Sequence, residues 1–123
     1  MLVLQRTILK KLKLVINNEK KNRFKNTFFV KKEMQTILNL YAKMVSNGEW
    51  KDYGLTLGPR EISFDFYQRS SDKPIYKISK NFNPKNTNER FLLKDRNGLV
   101  LEKSESLNAL IKKRNWFKFK TVG

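Results

Sequence analysis

The feature that most constrains this chain is a change of hydrophobic period at Asn47-Gly48. Before it, Met34, Ile37, Leu38, Tyr41, Met44 and Val45 recur at i, i+3, i+4 and i+7, a spacing that only an α-helix gathers onto one face. After it, Ile62, Phe64 and Phe66 alternate with Ser63, Asp65 and Tyr67, which is the two-residue period of a half-buried strand. A helix with one apolar stripe and a sheet with one apolar face each need a partner to cover them, and here each supplies the other. The helix is expected to start near Phe29, with Val30 as a poor N-cap, Glu33 at the third helical position and Phe29 stapled on Met34. Asn47 and Gly48 supply its stop, because glycine takes the left-handed turn that follows a helix.

Turn signals divide the rest of the chain. "YGLTL" (53–57) and "EISFDFYQR" (61–69) flank a Gly-Pro-Arg turn, and "SSDKP" separates them from "IYKIS" (75–79). "NFNPKNTNE" (81–89) is a longer loop before "RFLLKD" and "LVLEK", which join across Arg96, Asn97 and Gly98. Asn-Gly between apolar runs is a strong hairpin signal. Ser104 is then expected to cap a short helix with Leu107, Leu110 and Ile111 inward. The fold class is therefore α+β: one long amphipathic helix packed on an antiparallel β-meander of about five strands, with a short C-terminal helix and a basic N-terminal extension. Residues 1–27 read as a basic leader or arm, 28–112 as the core domain and 113–123 as a basic aromatic tail.

Function has to be sought in charge, because most catalytic apparatus is missing. The chain has no cysteine and no histidine, which excludes thiolate and imidazole metal sites and the usual Ser/His or Cys/His nucleophiles. The absence of cysteine also fits a reducing, cytoplasmic setting. The formal net charge is +16, and it is unevenly distributed. Residues 1–32 hold ten basic residues against Glu19 alone, 33–111 hold twelve basic and ten acidic, and five further basic residues follow from Lys112. Basic ends on a nearly neutral middle point to a polyanion, held through phosphate contacts and counterion release. Lysine outnumbers arginine 20 to 7 and asparagine reaches 13, so codon drift in an AT-rich genome is the alternative origin of the charge.

The candidate nucleic-acid contacts are Lys10, Lys11, Lys13, Lys20, Lys21, Arg23 and Lys25 in the leader and Lys112, Lys113 and Arg114 near the C-terminus. Trp116 and Phe117 are the candidate stacking platforms, since "IKKRNWFKFK" interleaves aromatics with cations as single-stranded nucleic-acid binders do. The same ten residues also read as a final strand or a membrane-interface tail. Residues 2–16 place Leu4, Ile8, Leu12, Val15 and Ile16 on one helical face, giving a second functional reading: an interaction module docking that helix on a protein or an anionic membrane surface. The run is too often interrupted by charge to span a bilayer, and no apolar h-region or small-residue cleavage site marks it as a secretory signal. A start site assigned too far upstream would also account for its anomalous charge.

Glu49, Trp50, Asp52, Tyr53 and Arg60 cluster in the join between helix and sheet. There Trp50 and Tyr53 read first as plugs at the end of the core, with Glu49 and Asp52 paired to Lys51 or Arg60. Carboxylate chemistry at Glu49 and Asp52 is a third, enzymatic reading, unsupported by any convergent site, so no catalytic residue is assigned and the protein is read as a non-enzyme. No glycine-rich phosphate loop, helix-turn-helix spacing or metal loop is present, and no cofactor or metal is expected. Phe64, Phe66, Tyr67 and Tyr76 do not make an RNA-recognition sheet, because its signature run is absent and the strands form a meander.

From Phe28 to Ile111 the chain resembles a small uncharacterised alphaproteobacterial family, a domain of unknown function numbered 2794. The resemblance rests on "ILNLYAKMVSNGEWKDY", on "FYQRSSDKPIYKISK", and on the late hairpin with the helix "LNALIK". Similar proteins show a short acidic cap where Val30 stands. The resemblance implies one fold unit in a bacterial cytoplasmic protein and carries over no activity, cofactor, partner or catalytic residue.

Overall fold

The computed structural model describes residues 28–69 and 73–116. Helix α1 (Lys31–Ser46) leads into strands β1 (Asp52–Leu57), β2 (Glu61–Tyr67), β3 (Tyr76–Asn81), β4 (Phe91–Asp95) and β5 (Val100–Ser104), and helix α2 (Leu107–Lys112) follows. A single 3-10 turn (Thr87–Glu89) interrupts the β3–β4 loop. The strands form one antiparallel sheet in the order β1-β2-β3-β4-β5, so each connection joins neighbours, as the meander reading requires.

The caps of α1 explain its limits. Val30 is the N-cap, and its backbone N–H donates to the Glu33 carboxylate at 2.8 Å. This is half of a capping box; the reciprocal bond is missing because a valine side chain accepts nothing. At the other end Gly48 adopts φ +77°. Its N–H donates to Val45 O, and the Glu49 N–H donates to Met44 O, the paired bonds that close a helix around a left-handed glycine. In the β4–β5 hairpin Gly98 takes φ +85°, its N–H donates to Asp95 O, and Asp95 Oδ1 accepts from Asn97 and Leu99 N–H. The connection is thus a three-residue turn with glycine in the left-handed position. One correction concerns α2: its cap is Ser106, whose Oγ accepts from Ala109 N–H, whereas Ser104 Oγ accepts from Ser106 N–H and holds the turn before it.

The core lies between α1 and one face of the sheet. Met34, Ile37, Tyr41 and Met44 meet Tyr53, Ile62, Phe64, Phe66, Ile78, Phe91 and Leu93, with Leu107 and Leu110 of α2 closing one side. Each large apolar side chain buried there contributes about 1.5–3 kcal/mol. Two polar arrangements depart from the simple alternation. On the core face, Lys80 is 4% exposed, and its Nζ donates to Phe28 O at 2.8 Å and Glu33 Oε1 at 2.9 Å. On the opposite face, Asp65 is 3% exposed and accepts from Thr56 Oγ1 at 2.7 Å and Ser63 Oγ at 2.8 Å. Nearby on that face, Lys94 reaches across β3 to Glu61 at 3.3 Å.

Candidate binding groove and basic corner

Helix α2 positions the described part of the basic C-terminal segment. Leu107 and Leu110 bury its inner face, which leaves Lys112 and Lys113 exposed as the helix ends. Lys113 is the C-cap, and its Nζ reaches back to Lys103 O at 2.6 Å. The chain then turns onto an aromatic corner. Trp116 donates from Nε1 to Ile111 O at 3.0 Å and sets its ring edge-on to Trp50 (centroids 5.6 Å, 85°) and to Tyr76 (5.4 Å, 85°). Trp50 is stacked in turn on Phe66 at 4.1 Å. Arg114 lies over both outer rings, 5.2 Å from the Tyr76 centroid and 5.8 Å from that of Trp116, and donates to Tyr76 Oη at 3.1 Å.

These rings wall a groove of about 690 Å³ between the end of α1, the start of β3, the β4–β5 hairpin and the segment after α2. Its rim mixes signs, with Glu49, Asp95 and Glu102 beside Arg96, Lys113 and Arg114. None of Glu49, Glu102, Arg96 and Arg114 belongs to an ion pair among the described residues. The groove therefore offers flat apolar walls together with donors and acceptors at its mouth, which suits a planar or extended polar ligand.

Of the residues chosen from sequence, Lys113, Arg114 and Trp116 come together here, while Lys112 stands exposed at the end of α2. Trp116 is half-buried and already in contact with two rings and a guanidinium. Lys10, Lys11, Lys13, Lys20, Lys21, Arg23, Lys25 and Phe117 lie outside the described residues. Trp50 and Tyr53 plug the core as expected, both nearly fully buried. Asp52 Oδ1 accepts from the adjacent Tyr53 N–H at 2.8 Å. Burial pushes the Tyr53 hydroxyl up to about 12, with the Asp52 carboxylate adding to the shift, and the hydroxyl has no hydrogen-bond partner among the described residues. Tyr67 is also raised, by burial first and then by Asp65 and Asp52. Among the described residues no group of three or more acidic, histidine or cysteine side chains could hold a metal ion, and no helix is long and apolar enough to cross a membrane.

Sequence reasoning did not find Tyr76 as a groove wall or Arg114 as its cover. Tyr76 offers no signal apart from strand alternation, and its neighbours Trp50 and Trp116 are 26 and 40 residues away along the chain.

Residues 27–111 match the model of the family described as Protein of unknown function (DUF2794). The chain belongs to that family. The DUF2794 match contains the helix, the sheet, α2 up to Ile111, and the groove walls Trp50 and Tyr76. Lys112, Lys113, Arg114 and Trp116 follow the DUF2794 match, so half of the aromatic corner is built from residues beyond it. Neither curated proteins nor solved structures give a match.

Proposed function

We propose that this protein is a non-enzymatic accessory factor that binds nucleic acid, acting in the cytoplasm, with the α+β body as scaffold and the basic ends as contacts. The observation that carries the reading is the segregation of charge: ten basic residues against one acidic in residues 1–32, and five basic residues with none acidic from Lys112 onward. Charge placed at both ends of a nearly neutral body costs little folding stability and leaves flexible lysine side chains available to phosphates. Lys112 and Lys113 stand exposed beside Arg114, whose planar guanidinium combines charge with a stacking surface.

Labelled single-stranded RNA and duplex DNA titrated with the full chain across a salt series test the reading. Binding is expected to weaken steeply with salt and to depend little on base sequence. Replacing Lys20, Lys21, Arg23 and Lys25 together by glutamine lowers the single-strand salt slope by up to about 3, at roughly 0.7 per phosphate contact. No binding at low salt overturns the reading. A partner whose binding survives these changes and is lost on altering Leu4, Ile8 and Leu12 would instead support docking through the leader.

A further inference from the structure

The two edges of the sheet are finished differently. On the β5 side, α2 and the 3-10 turn lie against the strand, the register is broken between Leu93 and Lys94, and Glu102 and Lys103 place charge along it. These are the devices that keep an edge from pairing. On the β1 side, six residues, Asp-Tyr-Gly-Leu-Thr-Leu, run in unbroken register with β2 and have no described strand beyond them. β1 has no lysine, arginine, proline or bulge, and its one charge is Asp52 at the first position. Leu57 near the far end is 67% exposed.

Hydrogen-bond parity shows what the edge offers. Gly58 N–H donates to Glu61 O at 2.9 Å, so the even-numbered residues of β1 bond to β2. The N–H and C=O groups of Tyr53, Leu55 and Leu57 therefore point away from the sheet. Among the described residues the first of these N–H groups, that of Tyr53, is occupied by the Asp52 carboxylate at 2.8 Å.

We propose that β1 pairs antiparallel with β1 of a second copy of this chain, about a two-fold axis at Leu55, making one sheet continuous across both copies. A two-fold axis normal to a sheet keeps like faces on the same side, so residues facing each other must share parity, and the outward-bonding residues meet outward-bonding residues. Leu55 then faces the partner's Leu55, Leu57 faces the partner's Tyr53, and Thr56 faces the partner's Gly54. Exposed Leu57 gains an apolar neighbour, Asp52 faces the partner's Gly58, and no like charges oppose one another. Sliding by two residues one way sets Leu57 against the partner's Lys51. Sliding the other way sets Tyr53 against the partner's Pro59, which has no N–H to give. The strand is thus self-complementary in one register.

The test is the mass of the full chain by light scattering and sedimentation from about 5 to about 500 µM protein, at several salt concentrations. A dimer is expected, and it strengthens with added salt because two copies of net charge +16 repel. Leu57→Lys, at an exposed site, weakens it about tenfold or more, since the change occurs twice across the axis. Leu55→Pro removes an outward donor without taking a bond from β2. Because the chain has no cysteine, Leu55→Cys gives a single thiol that oxidises to a linked dimer faster than the single thiol of Leu99→Cys at the hairpin tip. Circular dichroism confirms that each variant is folded. A monomer throughout, association unchanged by Leu57→Lys, or linkage no faster at position 55 than at 99 would each overturn the proposal.

Discussion

The long helix is fastened to the sheet at both ends, by opposite chemistry. At its start one ammonium, Lys80 Nζ, holds Phe28 O and the Glu33 carboxylate, and that carboxylate also caps the Val30 N–H. At its end the join is apolar: Trp50 stacks on Phe66, Trp116 stands edge-on to Trp50, and Tyr41 and Tyr53 meet at 4.7 Å. The polar fastening is directional and depends on every partner, because a buried charge without its counterpart costs more than the pair gains. The aromatic fastening scales with area and bears gradual change, which is why it can also form the wall of an open groove.

The largest test of this contrast is Trp50→Ala, expected to cost about 3–5 kcal/mol in chemical denaturation, while Trp50→Phe retains much of the loss. A cost below about 1 kcal/mol would show that the corner is not a fastening at all. At the polar end Lys80→Ala is expected to cost about 3 kcal/mol, because Glu33 and the Phe28 carbonyl lose their donor in a largely dry site. Adding Glu33→Gln to Lys80→Met should recover part of that cost. Strict additivity of the two would break the idea of a mutually dependent pair.

The aromatic end has a polar weakness, the buried Tyr53 hydroxyl, which has no hydrogen-bond partner among the described residues. Its folded pKa of about 12 lies above the ordinary 10.0. Stability is therefore whole below pH 10 and is lost as pH rises to 12, where the unfolded chain gives up the proton first. The loss is about 2–3 kcal/mol, and a pH series of denaturation midpoints in which Tyr53→Phe flattens this window checks it. The smallest expected effect is that of Arg114→Ala, about 0.5–1 kcal/mol, from loss of the cation stacked at a solvent-facing rim. Arg114→Lys should recover little of it, since the planar contact is lost with the guanidinium.

Local rules carried the helix, the meander and both special glycines into the structure. Gly48 and Gly98 were legible because a left-handed backbone asks for glycine whatever surrounds it. The inward set Ile62, Phe64 and Phe66 was legible because strand period is a property of the backbone. Capping was less so: Ser104 and Ser106 are both competent, and the course of the chain out of β5 selects the second. Lys80 obeys alternation with Tyr76 and Ile78, and it is nevertheless a lysine on the core face, tolerable only because Glu33 arrives from 47 residues away.

The sequence by itself determined the class of fold, the order of its elements, the two faces of the sheet and the segregation of basic charge, because each depends on neighbours within a few residues or on a simple count. The tertiary structure alone decided that Lys80 closes on Glu33, that Asp65 is satisfied by Thr56 and Ser63 on the far face, that Arg114 and Trp116 fold onto Trp50 and Tyr76, and that β1 is an outer strand of the sheet among the described residues. These depend on which strands pair and on distances between residues remote in the chain, and hydrophobic period fixes only which face each residue takes.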